Sequence, residues 1–122
     1  MNSYLLVAAG AVLGACARFF FTHLSSELSH HHGFPYGTLF VNVLGSLLAG
    51  FFLASTQPEA DSRSRLLVIV GFCGAFTTFS TFAFESMDYF QAGAYGRMAL
   101  NVALNNVLCL AGILGGGWMA RQ

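Results

Sequence analysis

The stretch Gly71-Phe72-Cys73-Gly74-Ala75-Phe76-Thr77-Thr78-Phe79-Ser80-Thr81-Phe82-Ala83-Phe84-Glu85 decides how this chain folds. It lies inside a long apolar segment, yet it is not plain apolar filler. Two glycines open it, hydroxyls interleaved with aromatic rings follow, and a carboxylate closes it. In hydrocarbon each unsatisfied backbone group costs several kcal/mol, so irregular backbone persists only where protein buries it or water reaches it. Glycine- and hydroxyl-rich sequence at membrane depth therefore predicts a broken helix and a place where ions are handled. Phe79 and Phe82 are three apart, so a helix puts both rings on one face.

The rest of the chain sets that stretch in a membrane. Of its 122 residues 56% are hydrophobic and only 8% charged, against about 25% charged in a soluble domain. There is no Lys and the formal net charge is zero, so nothing points to nucleic acid or to an acidic partner. A span needs about 20 mostly apolar residues. Four stretches qualify, at about 4–23, 36–55, 66–90 and 98–120. The first lacks a basic leader and no polar mature domain follows it, so it reads as a span and not as a signal peptide. The linkers, Leu24 to Pro35, Thr56 to Arg65 and Gln91 to Arg97, are too short for a soluble domain. The expected architecture is all-α, one domain over 1–122 with four transmembrane helices, the third broken, and no internal repeat. Cys16, Cys73 and Cys109 fall in apolar segments without metal-ligand spacing and read as packing residues.

Small residues recur at helical spacing: Gly10 and Gly14, Gly45 and Ala49, Gly112 and Gly116. Such pairs let helices approach closely, within a chain or between chains. Arginines bias orientation only weakly. Arg63, Arg65 and Arg121 fall on one side, Arg97 and Arg18 on the other. A chain with so little bias inserts either way, which permits an antiparallel dimer of two identical copies.

Polar residues at membrane depth are the candidates for function. Arg18, near the end of the first span, either serves an ion or anchors the helix by snorkelling; anchoring is the preferred reading. Thr38 and Asn42 share a face of the second span. Asn42 reads equally as glue between helices or as an anion ligand, because its amide carries two donors. Asn101, Asn105 and Cys109 form a stripe on the fourth span, with Asn106 one position off it. Such a stripe is costly against lipid and belongs against a partner helix or a water-filled path. Ring edges are electropositive, so Phe79 and Phe82 suit an anion that must also be released. Glu85 shares the face of Phe82, and a carboxylate beside an anion path repels unless it is neutralised, hydrogen-bonded or turned aside. His30, His31 and His32 sit in the first linker, read as a solvated loop without a role. Phosphate loops, dinucleotide fingerprints, helical His/Glu metal pairs and a Ser-His-Asp set are all missing, which argues against an enzyme.

Three stretches carry a family likeness. They are Gly14-Ala15-Cys16-Ala17-Arg18-Phe19, then Phe34-Pro35-Tyr36-Gly37-Thr38-Leu39-Phe40-Val41-Asn42, then Gly71-Phe72-Cys73-Gly74 through Thr81-Phe82 to Glu85. On them the chain resembles the CrcB/Fluc family of fluoride channels over essentially its whole length. The fourth span departs from the family, having Asn101 and Asn105 where members commonly show Tyr and then Ser. Phe19 stands where the family often has Tyr.

The resemblance implies an antiparallel, dual-topology homodimer with two fluoride pathways. It implies fluoride-contacting ring edges on Phe79 and Phe82 and a pore amide on Asn42. It also implies pathway hydroxyls on Thr38, Ser80 and Thr81, with Asn105 as the candidate on the fourth span; Arg18 and Glu85 are candidates for structural or regulatory roles on the residue reading alone. A structural sodium ion at the dimer centre, held by backbone carbonyls of Gly74 and Thr77 from both subunits, is implied as well. The implied activity is passive, fluoride-selective export from a bacterial cell through its inner membrane, lowering fluoride toxicity. Two rivals are weighed against it. A proton-coupled small multidrug-type exporter needs a carboxylate in the first span, which here carries Arg18 and no acid. An assembly subunit without transport of its own is disfavoured by the polar stripes.

Overall fold

The computed structural model describes residues 2–56 and 62–122; linker positions 57–61 lie outside the described residues. The described residues are almost entirely helical. Helix α1 is Ser3–Leu24, α2 Ser26–His32 and α3 Tyr36–Ser55. Helix α4, Ser62–Arg65, runs into a π-helical segment, Leu66–Cys73, and then α5, Gly74–Phe76. After a break come α6, Phe79–Gln91, and α7, Tyr95–Met119. Among the described residues four runs are long and apolar enough to cross a membrane: Ser3–Leu24, Tyr36–Ser55, Ser62–Gln91 and Tyr95–Met119. They match the expected spans, except that the third starts at Ser62 rather than Leu66 and the fourth at Tyr95 rather than Met98.

The first linker departs from expectation. It was expected as a solvated loop, but Ser26–His32 is helical, with His30, His31 and His32 exposed on its last turn. Glu27 in the first turn and the histidines in the last complement the helix dipole. Gly33 closes the helix in the left-handed region (φ 61°), its N–H donating to the Ser29 carbonyl at 2.8 Å.

Glycines set the packing. A Cβ on Gly10 would collide with the Leu67 carbonyl, and one on Gly14 with the Phe72 carbonyl. Helix α1 thereby lies directly on the π-helical segment. On the other side of the molecule α3 packs along α7, where Gly50 meets the Ile113 carbonyl and Gly116 the Leu47 carbonyl. The small-residue pairs Gly10/Gly14 and Gly112/Gly116 are thus consumed within one subunit. Van der Waals contact at this range replaces the hydrophobic drive that lipid does not supply.

The centre of the bundle is partly polar, since Phe76, Val41 and Asn101 are its most deeply buried side chains. Outside, Leu13, Phe19, Phe20, Phe84 and Leu114 are uncovered. Four spans in one subunit leave an apolar surface that suits lipid or a further subunit.

Candidate ion pathway

The site begins where the third span breaks. Thr77 (φ −85°, ψ 159°) and Thr78 (φ −148°, ψ 111°) are extended, so the helical hydrogen-bond ladder stops at Phe76 and restarts at Phe79. Thr78 caps the new helix, its Oγ1 accepting from Thr81 N–H at 3.3 Å and donating to Thr81 Oγ1 at 2.9 Å. The other orphaned groups at the break are met by one side chain on α3. Thr78 N–H donates to Asn42 Oδ1 at 2.8 Å, and Asn42 Nδ2 donates to the Thr78 carbonyl at 3.2 Å.

From Asn42 an amide ladder crosses the bundle. Asn42 Nδ2 also donates to Asn105 Oδ1 at 3.0 Å. Asn105 Nδ2 donates to the Asn101 carbonyl at 3.1 Å and to Asn101 Oδ1 at 3.0 Å. Asn101 Nδ2 donates to Ser86 Oγ at 3.0 Å, and Ser86 donates to the Phe82 carbonyl at 2.8 Å. One polar network therefore ties α3, the break, α7 and α6 together, and satisfied networks of this kind rigidify a core.

Two cavities meet at the break. The first, about 280 Å³, is lined by Asn42, Thr78, Phe79, Phe82, Asn105 and Cys109 among others. Its two rings differ sharply: Phe79 is 78% exposed and Phe82 only 7%. Their centroids are 5.4 Å apart with planes at 61°, so an edge of one ring meets the other. The second cavity, about 470 Å³, is lined by Arg18, His30, Thr38, Thr78, Thr81 and Glu85 among others. Thr78 borders both, which makes it the wall between them. Thr38 Oγ1 donates to Glu85 Oε1 at 2.5 Å. Glu85 Oε2 is buried and has no hydrogen-bond partner among the described residues.

The family model described as "CrcB-like protein, Camphor Resistance (CrcB)" matches residues 5–117. The chain belongs to the CrcB family. It is 46% identical to the fluoride-specific ion channel FluC of Koribacter versatilis, with 100% of this chain and 98% of the relative covered. It is likewise 46% identical to the protein of that name from Aeromonas salmonicida, over 93% and 92% of the two chains. The Elusimicrobium minutum relative is 42% identical, over 95% and 91%.

In this CrcB-family chain the sequence-derived candidates fall into three groups. Asn42, Phe79, Phe82 and Asn105 gather at the first cavity; Arg18, Thr38, Thr81 and Glu85 gather at the second. Ser80 is exposed on α6 and borders neither. Gly74 and Thr77 share a backbone feature, and Thr77 also lines the first cavity. The Thr78 N–H that would close a helical turn on the Gly74 carbonyl goes to Asn42 instead. The Thr81 N–H that would reach the Thr77 carbonyl goes to the Thr78 side chain. The break thus withholds from both carbonyls the donors that an intact helix would supply, and freed carbonyls at a helix break suit a hard cation. Gly74 is exposed and Thr77 half-buried, so this donor set lies near the surface of the subunit.

Sequence reasoning missed Thr78, the residue whose backbone the network holds. Its signal was present: a Thr three residues before Thr81 and just ahead of a helical pattern is a capping position.

Proposed function

We propose that this CrcB-family chain is a passive, fluoride-selective channel that releases cytoplasmic fluoride down its electrochemical gradient. The reading carries over the activity for which its relatives are named. The observation that supports it most directly is the first cavity, where a Phe79–Phe82 edge contact lies beside a lattice of neutral amides. A small, strongly hydrated anion must exchange water for donors, yet be held weakly enough to leave. Neutral N–H and O–H groups and ring edges meet both demands, where a bare cation would bind the anion too tightly. Arg18, at the second cavity, raises the local concentration of anions without sitting among the rings.

The working unit in this proposal is an antiparallel dual-topology homodimer in a bacterial inner membrane. The near absence of arginine bias and the uncovered apolar faces support it. The Gly74 and Thr77 carbonyls of the two copies would hold a structural sodium ion, whose charge would add positive potential at the interface. These residues fit such an ion because the break denies them their helical donors. Sodium holds the assembly and takes no part in the ion's passage.

Fluoride efflux from liposomes containing only this protein tests the proposal, with chloride measured beside it. Rapid fluoride loss, retained chloride and no efflux from Phe79→Ile are expected. No fluoride efflux from a well-folded dimer would sink it. The exporter alternative is not favoured, since α1 carries no acid and Glu85 lies on α6 against Thr38.

A further inference from the structure

A third cavity, of about 540 Å³, is lined by residues of α6 and α7, and Asn42 is not among them. It shares three residues with the first cavity: Phe79, Phe82 and Asn106. Two are rings, so Asn106 is the one amide common to both spaces. We propose that Asn106 is a pathway ligand, donating an N–H to the anion as it passes the Phe79–Phe82 pair.

This inference rests on the fluoride-channel reading and adds a residue to it. Its first support is the hydrogen-bond inventory. An Asn side chain has two amide hydrogens. Asn42 donates to Thr78 and to Asn105, and its Oδ1 accepts from Thr78. Asn105 donates twice to Asn101 and accepts from Asn42. Both are engaged in holding the fold. Asn106 Nδ2 makes one bond, to the Val102 carbonyl one turn back at 2.7 Å. Among the described residues its second amide hydrogen has no acceptor. The bond to Val102 fixes the amide plane, so the remaining donor is already oriented.

The second support is the depth of Asn106 in its helix. Asn106 is exposed near the middle of the 25-residue helix α7. A polar side chain turned to lipid at that depth is costly, and such residues line water-filled paths or meet protein. A path running between two cavities at its side chain removes that cost.

The test uses the purified full chain in liposomes, with wild type, Asn106→Leu and Asn106→Ala compared for fluoride efflux and for dimer formation in detergent. Loss of one hydrogen bond to a charged group predicts efflux slower by roughly 10- to 100-fold, with the dimer intact. A dimeric variant that conducts at the wild-type rate overturns the inference and leaves the channel reading standing. Loss of the dimer in both variants also overturns it, by assigning Asn106 to the subunit interface. A wild-type protein that passes no fluoride removes the channel reading and this inference together.

Discussion

The Asn42 side chain and the Thr78 backbone exchange two hydrogen bonds, N–H to Oδ1 at 2.8 Å and Nδ2 to carbonyl at 3.2 Å. A side chain from α3 here does what the next helical turn would have done. It is thereby the group that makes the break tolerable at membrane depth. Asn42→Leu preserves bulk and leaves the Thr78 N–H and carbonyl and Asn105 Oδ1 without this partner. Each such group costs about 1–3 kcal/mol. The variant should melt well below wild type in detergent, and Asn105→Leu, which spares the Thr78 pair, should fall less. An Asn42→Leu protein as stable as wild type would show that the break stands without this clamp.

The seam between α1 and the π-helical segment makes a sharper packing prediction. A Cβ at Gly10 meets backbone at Leu67 and also lies 2.8 Å from Phe72 N. Backbone cannot swing aside as a flexible side chain does. Gly10→Ala should therefore lower stability by at least the 1–3 kcal/mol typical of overpacking. Gly115→Ala, with nothing within 4 Å of its added Cβ, should match wild type or gain slightly from helix propensity. Thermal melts of the two side by side decide the matter; equal behaviour would refute the seam.

Thr38 and Glu85 form the third testable pair. Thr38 Oγ1 is the only hydrogen-bond partner of the Glu85 carboxylate among the described residues, and the other carboxylate oxygen is buried without one. Removing a donor from a buried acidic group costs more than removing one from a neutral group. Thr38→Val keeps the shape and loses the donor, so it should slow fluoride efflux and reduce stability. Thr38→Ser keeps the donor and should retain most of both. A Val variant matching wild type in efflux and melting would show that Glu85 does not depend on this hydroxyl.

The four spans were legible because lipid demands long apolar runs, and the break because Gly71 to Thr81 mixes glycine and hydroxyls where a plain span would not. Helix α2 was not legible. Six polar residues and a single Leu28 carry no hydrophobic period, and their helix rests on local capping at Gly33. The role of Asn42 was half legible: its depth marked it as important, but its partner lies 36 residues away. Asn106 lies one position off the Asn101–Asn105 stripe, and the sequence alone leaves open which of Asn105 and Asn106 serves a path. That stripe is the inward face, whereas the neighbouring position turns toward the space beside the rings.

The proposed sodium ion gives the last prediction, and the carbonyls that would hold it dictate the form of the test. The Gly74 and Thr77 donors are backbone carbonyls, so no side-chain substitution deletes them. A Cβ at Gly74 meets only the Ile69 carbonyl, at 3.7 Å, so even Gly74→Ala leaves the oxygen in place. The ion itself must be exchanged. Protein prepared and assayed without sodium, in choline or a large alkali cation, should lose fluoride efflux and regain it when sodium is restored. Efflux indifferent to sodium in the wild-type protein would remove the ion from the assembly and leave the two carbonyls to water or to the partner chain.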